Sequence, residues 1–222
     1  MNLEKLKKNF EKACSNLDMQ EMVEKALVYA EACQQQRKYD SAISCLKKLL
    51  PRVDKEKRQK AIVLTALGAA YWEKAQLKKA LSNFKEALKL FKELDNKAGQ
   101  AAILSIVGVT YWRKCEWDRA LQILENALNL KTDKDNRFVS LYGAFDRGLL
   151  TLQNRIRLGR ELEQPMKILQ PLFSSIALHL IEGNWEAFKT CLEESEALAK
   201  QMGHKDILKA TVGISLLADQ FS

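Results

Sequence analysis

The sequence predicts an all-α chain, a helical-repeat solenoid of antiparallel helix pairs, and three observations lead there. The first is repetition: Leu64, Leu67, Gly68, Tyr71, Trp72, Lys74, Ala80, Leu81, Phe84, Ala87, Leu88 and Leu90 are answered 40 residues later by Leu104, Val107, Gly108, Tyr111, Trp112, Lys114, Ala120, Leu121, Leu124, Ala127, Leu128 and Leu130. A period of that length marks stacked supersecondary units. The second is composition: with only 9 Gly and 3 Pro in 222 residues, the chain avoids the two residues that cost about 1 and 3 kcal/mol inside a helix. The third is that no stretch alternates apolar and polar residues between turn signals, as a half-buried strand would.

The run Leu67-Gly68-x-x-Tyr71, followed by Ala80-x-x-x-Phe84-x-x-Ala87, resembles the tetratricopeptide repeat, whose unit is a helix-turn-helix pair. The resemblance covers most of the chain and implies a right-handed superhelix of antiparallel pairs, here a single domain over residues 1–222. Gly68 and Gly108 stand in strongly helical sequence, where glycine costs about 1 kcal/mol against alanine. Close helix approach offsets that cost: each glycine is expected to face a small residue of the second helix, Ala80 or Ala120, near the short end of the roughly 8–10 Å interaxial range. Tyr71, Phe84, Tyr111 and Leu124 then fill the space beside the crossing. The repeat exceeds the usual ~34 residues by enough for roughly one and a half extra helical turns.

Taken in order, residues 3–14 predict a leading helix with Leu3, Leu6, Phe10 and Ala13 on one side. Asp18 with Glu21 three places on is a capping-box-like start for a first repeat over about 18–52, in which Ala30 stands for Gly68, Cys33 for Tyr71, Ala42 for Ala80 and Leu46 for Phe84. Pro51 stops its second helix. The second and third repeats span about 54–95 and 97–132, as helices over 54–75, 77–94, 97–114 and 117–131. Phe138, Leu141, Phe145, Leu149, Leu152 and Ile156 recur at steps of three and four, so 137–163 reads as one long irregular helix. Pro165 suits a first helical turn and opens a degenerate repeat over 165–202, with Ile176 for glycine and Phe188 for alanine. Residues 205–220 make a last helix, in which Val212, Gly213 and Leu216 echo Val107, Gly108 and Tyr111.

Several function classes are disfavoured. The chain has none of the phosphate-loop, dinucleotide, nucleophile-elbow or zinc-protease motifs, and its histidines, His179 and His204, keep no metal-ligand spacing with other donors. We expect no enzyme, no cofactor and no metal. Five cysteines without a C-x-x-C pair indicate reduced, structural thiols and a cytoplasmic protein. No run of apolar residues is long enough to span a membrane. The formal charge of +8 comes from lysines mixed with glutamates at helical spacing, as in Lys85, Glu86, Lys89, Lys92 and Glu93, the pattern of a solvated face. Arg147, Arg155, Arg157 and Arg160 crowd one helix and give the alternative reading, a nucleic-acid-associated or regulatory factor. They are spread around the helix without interleaved aromatics, which favours ion-paired or solvated side chains.

The leading expectation is a non-catalytic scaffold or adaptor that binds a helix or peptide of another protein in a concave groove. In tetratricopeptide proteins the first helix of each pair lines that groove. By resemblance its residues here are Leu27, Glu31 and Gln34 in the first repeat, Thr65, Ala69, Trp72 and Glu73 in the second, and Ser105, Val109, Trp112 and Arg113 in the third. Members that clamp a chaperone's terminal carboxylate place lysine, arginine and asparagine at such positions; Leu27, Glu31, Ala69, Ser105 and Val109 cannot form that clamp. Trp72 and Trp112 either line the groove as binding hot spots or pack in the core as tryptophan commonly does. The last helix reads Ala-Thr-Val-Gly-Ile-Ser-Leu-Leu-Ala from Ala210 to Ala218 without a charge. It is a candidate interface through Ile214, Leu217 and Phe221, for self-association or a partner.

Replacing Gly68 or Gly108 by leucine should overpack the crossing by ~1–3 kcal/mol or more. The helical circular-dichroism transition is expected to lose cooperativity or fall in midpoint; variants that melt like the parent would contradict the crossing.

Overall fold

A computed structural model describes residues 2–15, 18–130 and 143–221. Among them the chain forms eleven α-helices and one short 3-10 turn: α1 (Leu3–Ala13), α2 (Met19–Gln35), α3 (Tyr39–Leu49), the turn Leu50–Val53, α4 (Lys57–Glu73), α5 (Leu77–Glu93), α6 (Lys97–Arg113), α7 (Trp117–Leu130), α8 (Ala144–Glu161), α9 (Pro165–Glu182), α10 (Trp185–Gln201) and α11 (Lys205–Asp219). The fold is an all-α helical repeat. The helix expected over 137–163 is seen as α8; its expected start, 137–142, lies outside the described residues. Helix α4 begins three residues later than the expected 54, because Pro51 and the tight turn at Leu50–Val53 come first.

The described residues form two compact units. The first holds residues up to 103 with 143 and 144, and the second holds 104–130 with 145–221. The division falls within α6, so it does not follow the repeat boundaries.

Side-chain caps hold some helix starts, one of them the expected Asp18. Asp18 accepts from the backbone N–H of Gln20 at 2.9 Å and of Glu21 at 3.1 Å, satisfying donors that a helix start leaves open. Asn2 does the same for α1, with N–H groups of Glu4 at 3.0 Å and Lys5 at 3.2 Å. The helix ends repeat one device. After α4 the N–H of Gln76 reaches back to Tyr71 O at 2.9 Å and that of Ala75 to Trp72 O at 3.0 Å, the paired bonds of a Schellman ending. The same pair closes α2, α5, α6, α8, α9 and α10. The residue that turns the chain is left-handed each time: Arg37, Ala75, Asp95, Cys115 and Glu163 hold φ between 46 and 61°, and Gly183 and Gly203 supply glycine for the same job.

The helix crossings depend on glycine, against a different neighbour from the one expected. A Cβ added at Gly68 would lie 2.5 Å from Phe84 Cε1, and one at Gly108 would lie 2.7 Å from Leu124 Cδ2. The atoms nearest each glycine therefore belong to the large residue of the signature, and those nearest are not the methyls of Ala80 and Ala120. A methyl is too short to fill the notch, whereas a ring or an isobutyl group reaches across. Gly99 takes Phe91 in the same way, at 2.5 Å from Phe91 Cδ1. In the second unit a Cβ at Gly159 would meet the backbone carbonyl of Lys167 at 2.9 Å, where no side chain can give way.

Tyr71 is buried, but Tyr111 is only half-buried, so it is not the core residue the repeat suggested. The Arg119 guanidinium lies 4.0 Å from the Tyr111 ring centre, and Lys79 stands 5.5 Å from the matching Tyr71 ring. The repeat thus preserves a cation over an aromatic face.

Left-handed backbone disfavours alanine and cysteine by roughly 1–2 kcal/mol, and glycine removes that strain. Ala75→Gly and Cys115→Gly should each raise the thermal midpoint, by an amount equivalent to about 0.5–1 kcal/mol after the entropy glycine gains when unfolded. A fall in the midpoint would contradict this reading of the turns.

A buried first-helix face and its accessible rim

Most of the residues expected to line a groove are buried by the chain itself, while Leu27, Glu31, Glu73 and Arg113 stay partly exposed. Helix α4 is apolar on nearly every side, so it must be covered on nearly every side. Eleven of its residues are buried, from Ala61 to Trp72. Thr65 and Ala69 are enclosed, Trp72 is 2% exposed, and the Thr65 hydroxyl donates within its own helix to Ala61 O at 2.8 Å. Glu73, at the end of α4, keeps partial exposure and accepts a hydrogen bond from Gln34 Nε2 of α2 at 2.6 Å. Gln34 and Glu73 were both assigned to the first-helix face from the sequence, and here they meet. Leu27 and Glu31 of α2 stay partly exposed and Val28 beside them is exposed.

In the second unit, Ser105, Val109 and Trp112 of α6 are buried and Arg113 is half-buried. Trp112 is 1% exposed. Its indole stacks on Phe173 of α9 with ring centres 4.6 Å apart, and its Nε1–H donates to Phe173 O at 2.7 Å. Trp117 meets the same ring edge-on at 5.7 Å. Trp112 is therefore a core residue of this unit, covered by α9. Burial pushes the Arg113 guanidinium below its usual range, and Arg155 of α8 adds like-charge repulsion. Phe173 was missed in the sequence. Its signal was that α9 is apolar on every side, with Leu178 and Ile181 lying away from the stripe of Leu169, Leu172, Phe173, Ile176 and Leu180, since a helix apolar on all sides has to sit inside something.

The arginine-rich helix is partly spent on ion pairs. Arg157 reaches Glu161 at 3.0 Å and Arg160 meets both Glu194 oxygens at 2.6 and 2.8 Å. Of the expected C-terminal interface, Ile214 and Leu217 are buried and Phe221 is half-buried, while Val212 and Leu216 are the exposed apolar side chains of α11.

Chemistry at the titratable groups is subdued. Burial holds the Cys45 thiol and the Tyr29 hydroxyl up at about 12, and raises Cys33 and Cys191 as well, so these groups stay protonated and weakly nucleophilic at neutral pH. Burial lowers the pKa of His179, whose Nδ1 lies 3.9 Å from Glu182. Among the described residues no group of three or more His, Cys, Asp or Glu is arranged to hold a metal ion, and no helix is long and apolar enough to cross a membrane.

A tetratricopeptide repeat family model matches residues 22–93 and 60–133, which together cover half of the chain. The chain belongs to the tetratricopeptide repeat family. Repeats of this family generally mediate protein–protein interactions, and the family is typically non-catalytic. Among solved structures the chain is similar to BtubC (BKLC) from P. vanneervenii, with 17% sequence identity, a TM-score of 0.54, and coverage of 90% of this chain and 91% of that one. At that identity the likeness speaks for the fold alone. A comparison with curated proteins finds no match. The tetratricopeptide match ends at residue 133, before α8, and α9 with its Phe173 lies beyond it.

Trp112→Ala should cost ~3–5 kcal/mol, as truncation of a buried aromatic does. Trp112→Phe should retain much of the packing while losing the bond to Phe173 O. Chemical-denaturation midpoints would check both, and a Trp112→Ala variant as stable as the parent would place the indole outside the core.

Proposed function

We propose that this tetratricopeptide protein is a non-catalytic scaffold or adaptor that holds a helix or an extended peptide of another protein against the first-helix face of its first unit. The supporting observation is the Gln34–Glu73 hydrogen bond at 2.6 Å. It ties the C-terminal ends of two successive first helices, α2 and α4, side by side on one face, as neighbouring units of a solenoid do. In this reading Thr65, Ala69 and Trp72 form a rigid floor, and Leu27, Val28, Glu31 and Glu73 are the groups a partner touches. Ser105, Val109 and Trp112 serve in the second unit as packed support for α6, with Arg113 at its rim.

The accessible charges on this face are the carboxylates Glu31 and Glu73, on a chain whose net charge is +8. A suitable ligand segment presents an apolar side chain to Leu27 and Val28 and a lysine or arginine to the carboxylates. The five free cysteines fit a reducing cytoplasm.

The test is affinity capture by the full chain, compared with a Glu31→Lys, Glu73→Lys double variant. The reading expects specific partners whose affinity falls at least tenfold, about 1.4 kcal/mol, in the double variant and in Glu31→Lys alone by a smaller factor, with helix content unchanged in both; only the double variant, which loses the Gln34–Glu73 bond, should melt lower. Partners retained equally by the parent and the double variant would contradict it.

A further inference from the structure

We infer that α11 is a self-association helix, on which two copies of this chain pair antiparallel with Val212 of each against Leu216 of the other and Lys209 of each against Asp219 of the other. The inference is independent of what the α2–α4 face binds.

The argument starts from what α11 has left over. Ile207, Ala210, Thr211, Ile214, Leu217 and Ala218 are buried within the second unit. Gly213 brings the helix close to α7, since a Cβ there would lie 2.7 Å from Leu121 Cδ1. The opposite side carries Lys205, Lys209, Val212, Leu216 and Asp219, all exposed. These positions step by four, three, four and three, which places them on one stripe with the spacing of a coiled-coil seam. Val212 is 56% exposed and Leu216 62%. A stripe with two apolar residues at its middle and opposite charges toward its ends is complementary to itself.

Self-complementarity selects a register. Around a twofold axis, each residue meets the one whose number completes a fixed sum. With the axis level with Ile214, Val212 faces Leu216 and Lys209 faces Asp219, so one placement satisfies both the apolar and the charged pairs. Moving the axis about one turn toward the N-terminus sets Lys205 against Leu216 and Lys209 against Val212, burying lysines on apolar groups. Among the described residues neither Lys209 nor Asp219 is held in an ion pair, so both are available across the axis. Beside the stripe, a depression of about 590 Å³ lined by Trp117, Arg119, Leu121, Lys209 and Val212 offers further contact area to the second copy. The surface is small against the roughly 800 Å² per partner of a standard stable interface, which fits a weak, reversible dimer.

Sedimentation velocity on the full chain, in a concentration series reaching the millimolar range, should show a monomer–dimer equilibrium that Leu216→Glu abolishes. Lys209→Asp and Asp219→Lys should each weaken self-association at least tenfold, because each sets like charges opposite one another twice. Mixing those two variants should restore dimer, since every pair across the axis is then of opposite sign. Circular dichroism would verify that each variant keeps the parental helix content. A parent that stays monomeric throughout, a Leu216→Glu variant that dimerises like the parent, or a mixture no better associated than its components would overturn the inference.

Discussion

The repeats rest on one steric constraint: a large side chain from one helix occupies the space that a missing Cβ leaves on the next. Phe84 against Gly68, Phe91 against Gly99 and Leu124 against Gly108 all sit closer than a real Cβ would allow, and all three large side chains are essentially fully buried. Each glycine gives up about 1 kcal/mol of helix propensity, while burying a leucine or phenylalanine completely contributes ~1.5–3 kcal/mol. The exchange favours the notch wherever the ring or isobutyl group fits. It also draws backbones together, so a first helix in this chain is enclosed by its neighbours.

That enclosure limits where function can sit. Helices α4 and α6 bury most of their side chains, and the indole of Trp112 already has a stacked ring and a carbonyl from α9. Little apolar surface of these helices remains for a partner. Accessible apolar side chains lie elsewhere, among them Val28 on the edge of α2, Leu150 and Leu158 on α8, and Val212 and Leu216 on α11. The thiols and phenol buried in the core have their ionisation suppressed, so they hold the helices together as small or aromatic hydrophobes do.

Much of this was written plainly in the sequence, because the 40-residue recurrence fixes both the helix pairs and the turns between them. Asp18 and Pro51 marked boundaries that the structure keeps, since capping and proline act locally. Contacts set by reach were harder to read. Spacing suggested alanine opposite glycine, but the direction and length of a phenylalanine side chain decide which residue fills a notch. The face of α11 was equally ambiguous, as apolar residues encircle it from Ala210 to Ala218; the close approach of Gly213 to Leu121 turns Ile214 and Leu217 inward and Val212 and Leu216 outward. Phe173 lay beyond the repeating pattern, where periodicity carries no information about which helix it meets.

The size exchange at the helix crossing can be tested by asking whether the sign of one substitution depends on its neighbour. Gly68→Ala adds a single methyl, which gains about 1 kcal/mol of helix propensity but strikes the Phe84 ring, 2.5 Å from the new atom. In a thermodynamic cycle by denaturant unfolding, Gly68→Ala should destabilise the parent and stabilise the Phe84→Ala variant, in which the group that fills the notch is gone. Coupling of ~0.5–3 kcal/mol, as found for residues in contact, is the expected result. An equal effect of Gly68→Ala in both backgrounds would contradict the account, because the glycine would then not be there for the ring.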